Sequence, residues 1–123
     1  MNALIFLAHG SRREKSNQEV IDLVDSIRPQ LGARFDRIDA AFLELVQPSL
    51  PDAIDDALRQ GAQLVTIFPY FLNSGNHVDK DIPAIVYQFK ERYPDRAFAV
   101  TDHFGKTEGV WEIIVKQLLT TTR

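Results

Sequence analysis

Three observations predict an open α/β sheet. Apolar runs alternate with helical patterns four times along the 123 residues. The first run, Ala3–Ala8, is continuously apolar, as a strand covered on both faces requires. Cap and stop residues separate the two kinds of segment. A β-α unit repeated four times gives a parallel sheet with helices on both faces. Right-handed crossovers leave few topologies. Strand order 2-1-3-4, that of a single flavodoxin-like domain over residues 1–123, is the economical one.

After the first strand, Val20, Ile21, Val24, Ile27 and Leu31 recur at helical spacing, and Gly32 is a stop signal. Phe35–Leu43 reads as the second strand, more polar at its start and so nearer an edge. Ser49 caps the second helix, with Pro51 in its first turn and Asp52 three residues on. Ile54, Ala57 and Leu58 form its inner face, and Gly61 ends it. Gln63–Leu72 is the third strand, with Pro69 marking where pairing stops. Asp81 and Pro83 open the third helix, with Ile82, Ile85, Val86 and Phe89 inward and Pro94 beyond its end. Ala97–Thr101 is the fourth strand. Thr107 and Glu108 start the last helix, with Val110, Trp111, Ile114 and Leu118 expected to face the core.

Composition narrows the function classes. Fourteen basic and 17 acidic residues give a net charge of −3, so nothing global points to nucleic acid; an anionic ligand needs a local basic patch. The chain has no cysteine, which excludes disulfides, thiolate metal sites and a cysteine nucleophile. The apolar start is too short for a signal peptide, and its charges follow the run instead of preceding it. No segment approaches the roughly 20 apolar residues that span a bilayer. The expected location is the cytoplasm, without membrane contact.

All three histidines lie beyond predicted strand ends. His9 follows the first strand, His77 lies in the loop after the third, and His103 follows the fourth. Glu44 ends the second. In open parallel sheets these loops form the ligand crevice, and imidazole with carboxylate suits divalent first-row metals. Taken singly the signals are weak. His9-Gly10-Ser11-Arg12 is also an ordinary strand-to-helix turn. Histidine phosphatases share the His-Gly, but with an arginine just before it, where this chain has Ala8. Glu44 has apolar neighbours on both sides, yet could be a solvated strand end. His77 could be an exposed residue at a helix entry, with Gly75 letting the backbone bend near a ligand.

Three stretches taken together carry more. His9-Gly10-Ser11-Arg12 with Asn17, Phe42-Leu43-Glu44-Leu45 with Gln47-Pro48-Ser49-Leu50, and Pro69-Tyr70-Phe71-Leu72 through Gly75-Asn76-His77-Val78 with Asp81-Ile82-Pro83 closely resemble the short-type sirohydrochlorin chelatases. These are the cobaltochelatase/ferrochelatase group of class II chelatases, and the match runs from residue 4 to about residue 90. The resemblance implies insertion of Co²⁺, Fe²⁺ or Ni²⁺ into sirohydrochlorin without ATP or an organic cofactor, by a homodimer. It carries the metal ligands onto His9, Glu44 and His77. Relatives often have Pro-Leu-Gly after the fourth strand; here His103-Phe104-Gly105 stands there, so no role passes to His103.

Metal insertion needs a base for two pyrrole protons, which His9 or His77 supplies. It also needs a site with open positions for the ring nitrogens. Ser11, Arg12 and Arg13, with Lys15 and Lys80, are candidates for holding the carboxylates of the tetrapyrrole. Tyr70, Phe71 and Leu72 are candidates for its apolar wall. A non-catalytic metal or tetrapyrrole carrier on the same fold is the alternative.

Overall fold

The structure is a computed structural model that describes residues 1–121. Its strands are β1 (Asn2–Ala8), β2 (Arg37–Phe42), β3 (Leu64–Pro69) and β4 (Ala97–Val100). Its α-helices are α1 (Glu14–Leu31), α2 (Leu50–Arg59), α3 (Ile82–Arg92) and α4 (Val110–Thr121). A π-helical turn, His77–Asp81, leads into α3, and a 3-10 turn, Phe104–Lys106, precedes α4. All pairings are parallel, in the order β2-β1-β3-β4.

Strand alternation splits the core in two. Ala3, Ile5 and Leu7 of β1 point with Val65 and Ile67 into the larger layer, which α2 and α3 cover. Leu4 and Phe6 point the other way, against Val24 of α1 and Ile38 of β2. β1 therefore has both faces buried, as its unbroken apolar run requires. β3 is shorter than Gln63–Leu72. It ends at Pro69 because proline brings no N–H, although Tyr70 N still donates to Leu7 O at 2.8 Å.

The helix signals act as expected in part. Ser49 Oγ accepts from Asp52 N at 3.2 Å, closing the first turn of α2, and Gly61 takes φ +101° beyond its end. Gly32 does follow α1, but at φ −63°, so its position needs no glycine conformation. Ile21 of α1 is exposed, not packed. Asp81 does not cap α3 with its side chain, which turns instead to His77.

The largest departure is α4. Trp111, Ile114 and Leu118, expected inward, are 68%, 54% and 60% exposed, and Val110 is only partly buried. The helix lies outside both core layers. Beyond the reach of α1, the sheet face at β3 is left as an apolar groove of about 370 Å³ between Phe6, Leu23, Ile27, Phe68, Tyr70 and Phe104. Periodicity reports an apolar stripe; it does not report which surface covers it.

Two substitutions separate these contributions. Ser49→Ala should cost about 1 kcal/mol through the lost cap. Ile54→Ala, at a fully buried position of α2, should cost roughly 2–5 kcal/mol through transfer and cavity terms. Urea unfolding followed by circular dichroism reads both; equal costs would contradict this division.

Candidate functional site

The exits of β1 and β2 are joined by their backbones. Leu43 N donates to Ala8 O at 3.0 Å and Glu44 N to His9 O at 3.1 Å, continuing the ladder past the last paired residues. Gly10 turns the chain at φ +94°. A Cβ there would stand 2.0 Å from Glu44 O. Only glycine combines this conformation with this approach. The two strand exits are thus close enough for their side chains to meet.

They do meet. His9 Nε2 lies 2.8 Å from Glu44 Oε1. A carboxylate only accepts, so Nε2 carries the shared proton. The third strand exit brings His77. Its ring centre lies 5.1 Å from that of His9, edge to face. Two imidazoles on one ion, with bonds of about 2.1 Å and a tetrahedral angle, stand with centres about 5 Å apart. The observed spacing matches that arrangement. Among the described residues no group of three or more His, Cys, Asp or Glu side chains stands as it is in a position to hold a metal ion. The site is a pair of contacts side by side.

The second contact uses Asp81, read from the sequence as a helix start and not as a site residue. His77 Nδ1 lies 2.7 Å from Asp81 Oδ2. The carboxylate places the proton on Nδ1 and leaves the Nε2 lone pair free. Such a carboxylate–histidine pair fixes the ring and its tautomer. The signal was the His-x-x-x-Asp spacing, since a helical turn brings positions four apart together. All four side chains, His9, Glu44, His77 and Asp81, are 44–56% exposed, so the site is open to a large ligand. Glu44 is therefore a solvated strand end as well as a histidine partner.

The other candidates fall in different places. Ser11 is held by Asn17: its N donates to Asn17 Oδ1 at 2.9 Å and its O accepts from Asn17 Nδ2 at 2.8 Å. Ser11 Oγ accepts from Arg13 N at 3.0 Å. Nothing in sequence spacing marks Asn17 for this clasp, which shapes the loop after His9. Arg12, Arg13, Lys15 and Lys80 are exposed. Tyr70, Phe71 and Leu72 do not make one wall. Tyr70 packs on Phe6 and Phe104 on the α1 side, Phe71 joins the opposite core layer, and Leu72 is exposed. Strand-like alternation persists past Pro69 and separates them. Gly75 has open space around its Cβ position and no positive φ, so its bend does not require glycine; the crowded glycines are Gly10 and Gly105. His103 precedes the 3-10 turn without capping it.

A family model described as CbiX matches residues 3–121. This chain belongs to the CbiX family. It is 26% identical over 118 residues to the sirohydrochlorin ferrochelatase of Priestia megaterium, covering 96% of this chain and 44% of that protein. It is 34% identical over 86 residues to the sirohydrochlorin cobaltochelatase of Methanococcus aeolicus, covering 70% of this chain and 59% of that one. The structure of the sirohydrochlorin chelatase SirB from Bacillus subtilis subspecies spizizenii, in complex with cobalt, superposes with a TM-score of 0.83 at 24% identity. That match spans 98% of this CbiX-family chain and 50% of SirB, and it shows the shared fold. The chain spans about half the length of the curated relatives it matches.

Gly10→Ala tests how the site is built. A Cβ against Glu44 O would push the two strand exits apart without removing a donor atom. Co²⁺ affinity by titration calorimetry should fall at least tenfold, with the far-ultraviolet circular dichroism retained. Unchanged affinity would show that the close approach does not position Glu44.

Proposed function

We propose that this chain inserts a divalent metal, Co²⁺, Fe²⁺ or Ni²⁺, into sirohydrochlorin, without ATP or an organic cofactor, and that it works in the cytoplasm as a homodimer. One observation carries the reading: His9, Glu44 and His77 converge from three strand exits in a chain of the CbiX family. The names of the relatives support the substrate. Imidazole with one carboxylate suits these metals better than Mg²⁺ or Ca²⁺.

The residues divide the work. His77, its Nδ1–H held by Asp81, offers Nε2 to the ion. His9 binds as the neutral imidazole, its proton moved by way of solvent from Nε2 to Nδ1, and Glu44, released from that hydrogen bond, becomes the anionic ligand. Opening a hydrogen bond of 2.8 Å into a nitrogen–metal–oxygen bridge widens the pair by under about 1 Å, given bonds near 2.1 Å. Three ligands leave positions for the ring nitrogens. Insertion releases two pyrrole protons for each divalent ion, so charge balances; an imidazole leaving the metal accepts one of them and solvent water takes the other. Arg12 and Arg13, exposed beside His9, hold carboxylates of the macrocycle. No helix among the described residues is long and apolar enough to cross a membrane.

His9→Ala and His77→Ala should each lower the initial rate of Co²⁺ insertion by roughly 10²–10⁴, followed by the absorbance change of the macrocycle, while the fold is kept. Asp81→Asn should weaken metal binding by roughly 10–100-fold. Full activity in both histidine variants would refute the site. Tight binding of metal and macrocycle without turnover in the parent chain would instead mark a carrier.

Macrocycle affinity should fall as salt rises, because exposed charge contacts are screened within a Debye length of about 10 Å at 0.1 M. Arg12→Ala should flatten that dependence. Fluorescence titration at low and high salt reads it, and parallel curves for parent and variant would exclude the arginine clamp.

A further inference from the structure

Among the described residues, two apolar surfaces lack a cover, a helix face and a groove. One is a helix face. Trp111, Ile114, Val115 and Leu118 fall at helical spacing along one side of α4 and are 68%, 54%, 44% and 60% exposed. The other is the groove of Phe6, Leu23, Ile27, Phe68, Tyr70 and Phe104, between α1 and the sheet face at β3. A parallel sheet of this kind carries helices on both faces. The strand exposed here, β3, has its helix on one face only.

The chain's own α4 is held away from that groove. Gly105 N donates to Phe71 O at 2.9 Å, and a Cβ at Gly105 would stand 1.6 Å from Leu72 O. The turn is thus packed against the exit of β3. Lys106 N donates to His103 O at 3.0 Å and Thr107 N to Phe104 O at 2.9 Å. Gly109 then turns the chain at φ +95° just before α4. Phe104 rests on Tyr70, with ring centres 5.5 Å apart. A connection bonded at each of these steps directs α4; it is not a slack linker.

We propose that α4 docks in the groove of a second copy of this chain, and that the second copy returns the same contact. The inference rests on the pairing proposed above and assigns its surface. Mutual docking is isologous and closes at two copies under two-fold symmetry. Area supports it. Covering the four side chains of α4 and an equal area of groove, twice, removes on the order of 1,500 Å² or more, against about 1,600 Å² in a standard stable interface. The lining of the groove is mostly apolar, and Glu112 and Lys116 lie off the docking face of α4. The exchange sets the second copy beside Tyr70, at the start of the loop that carries His77.

The absence of cysteine makes one introduced thiol unique. Gln117→Cys, at the rim of the docking face, is labelled with benzophenone maleimide, illuminated and mapped by peptide mass spectrometry. The expected product has twice the 14.0 kDa chain mass, with links to Leu23, Ile27, Phe68 or Phe104. The same links within a single chain would overturn the proposal, since α4 would then cover its own sheet. A double-mass product linked elsewhere would leave the pairing intact and overturn this surface. A monomer by light scattering at micromolar concentration, with no linked product, would remove both. Independently, Ile114→Glu with Leu118→Glu should convert dimer to monomer with sheet circular dichroism unchanged; a persistent dimer would count against the exchange.

Discussion

The close approach between the turn at Gly10 and the backbone of Glu44 is the constraint on which the site depends. Two backbone hydrogen bonds carry the β1–β2 ladder beyond its last residue pair, to His9 and Glu44. A side chain at position 10 would collide with Glu44 O. The histidine–carboxylate contact follows from this backbone geometry, since both side chains leave neighbouring strands at the same level. His77 then reaches the pair on a separate loop, and Asp81 sets which nitrogen it presents.

Under the proposed function, the exposure and pairing of these side chains suit a site that hands its metal on. Its donors are half exposed, and they are engaged with each other in pairs instead of being preformed into a cage. A closed site of fixed geometry suits a structural ion. A ligand set that opens from hydrogen bonds suits an ion that enters, stays briefly and leaves for four ring nitrogens. The cations near His9 are likewise exposed, which fits contact with the carboxylate rim of a large ligand more than burial of a small one.

Stability and incompleteness sit in different halves of the molecule. β1 is buried on both faces and α2 and α3 complete the larger core layer. On the other face, α1 covers β1 and β2, while the apolar side of α4 and the groove over β3 face outward.

The four strands, their parallel order and the caps of α2 were legible in the sequence because each rests on local pattern: continuous apolar runs, helical spacing, Ser49 with Pro51. His9, Glu44 and His77 were legible as strand-exit residues, since topology alone brings such exits to one edge. Other features required the tertiary structure. The crowding at Gly10 comes from a residue 34 positions away, and Asn17 clasps the backbone of Ser11 across a turn. Tyr70 and Phe71 part to opposite faces because alternation outlasts the strand. The apolar stripe of α4 reads the same whether it packs inward or outward. Local chemistry determines which surfaces are apolar and which groups can bind; the path of the chain between them decides what each surface meets.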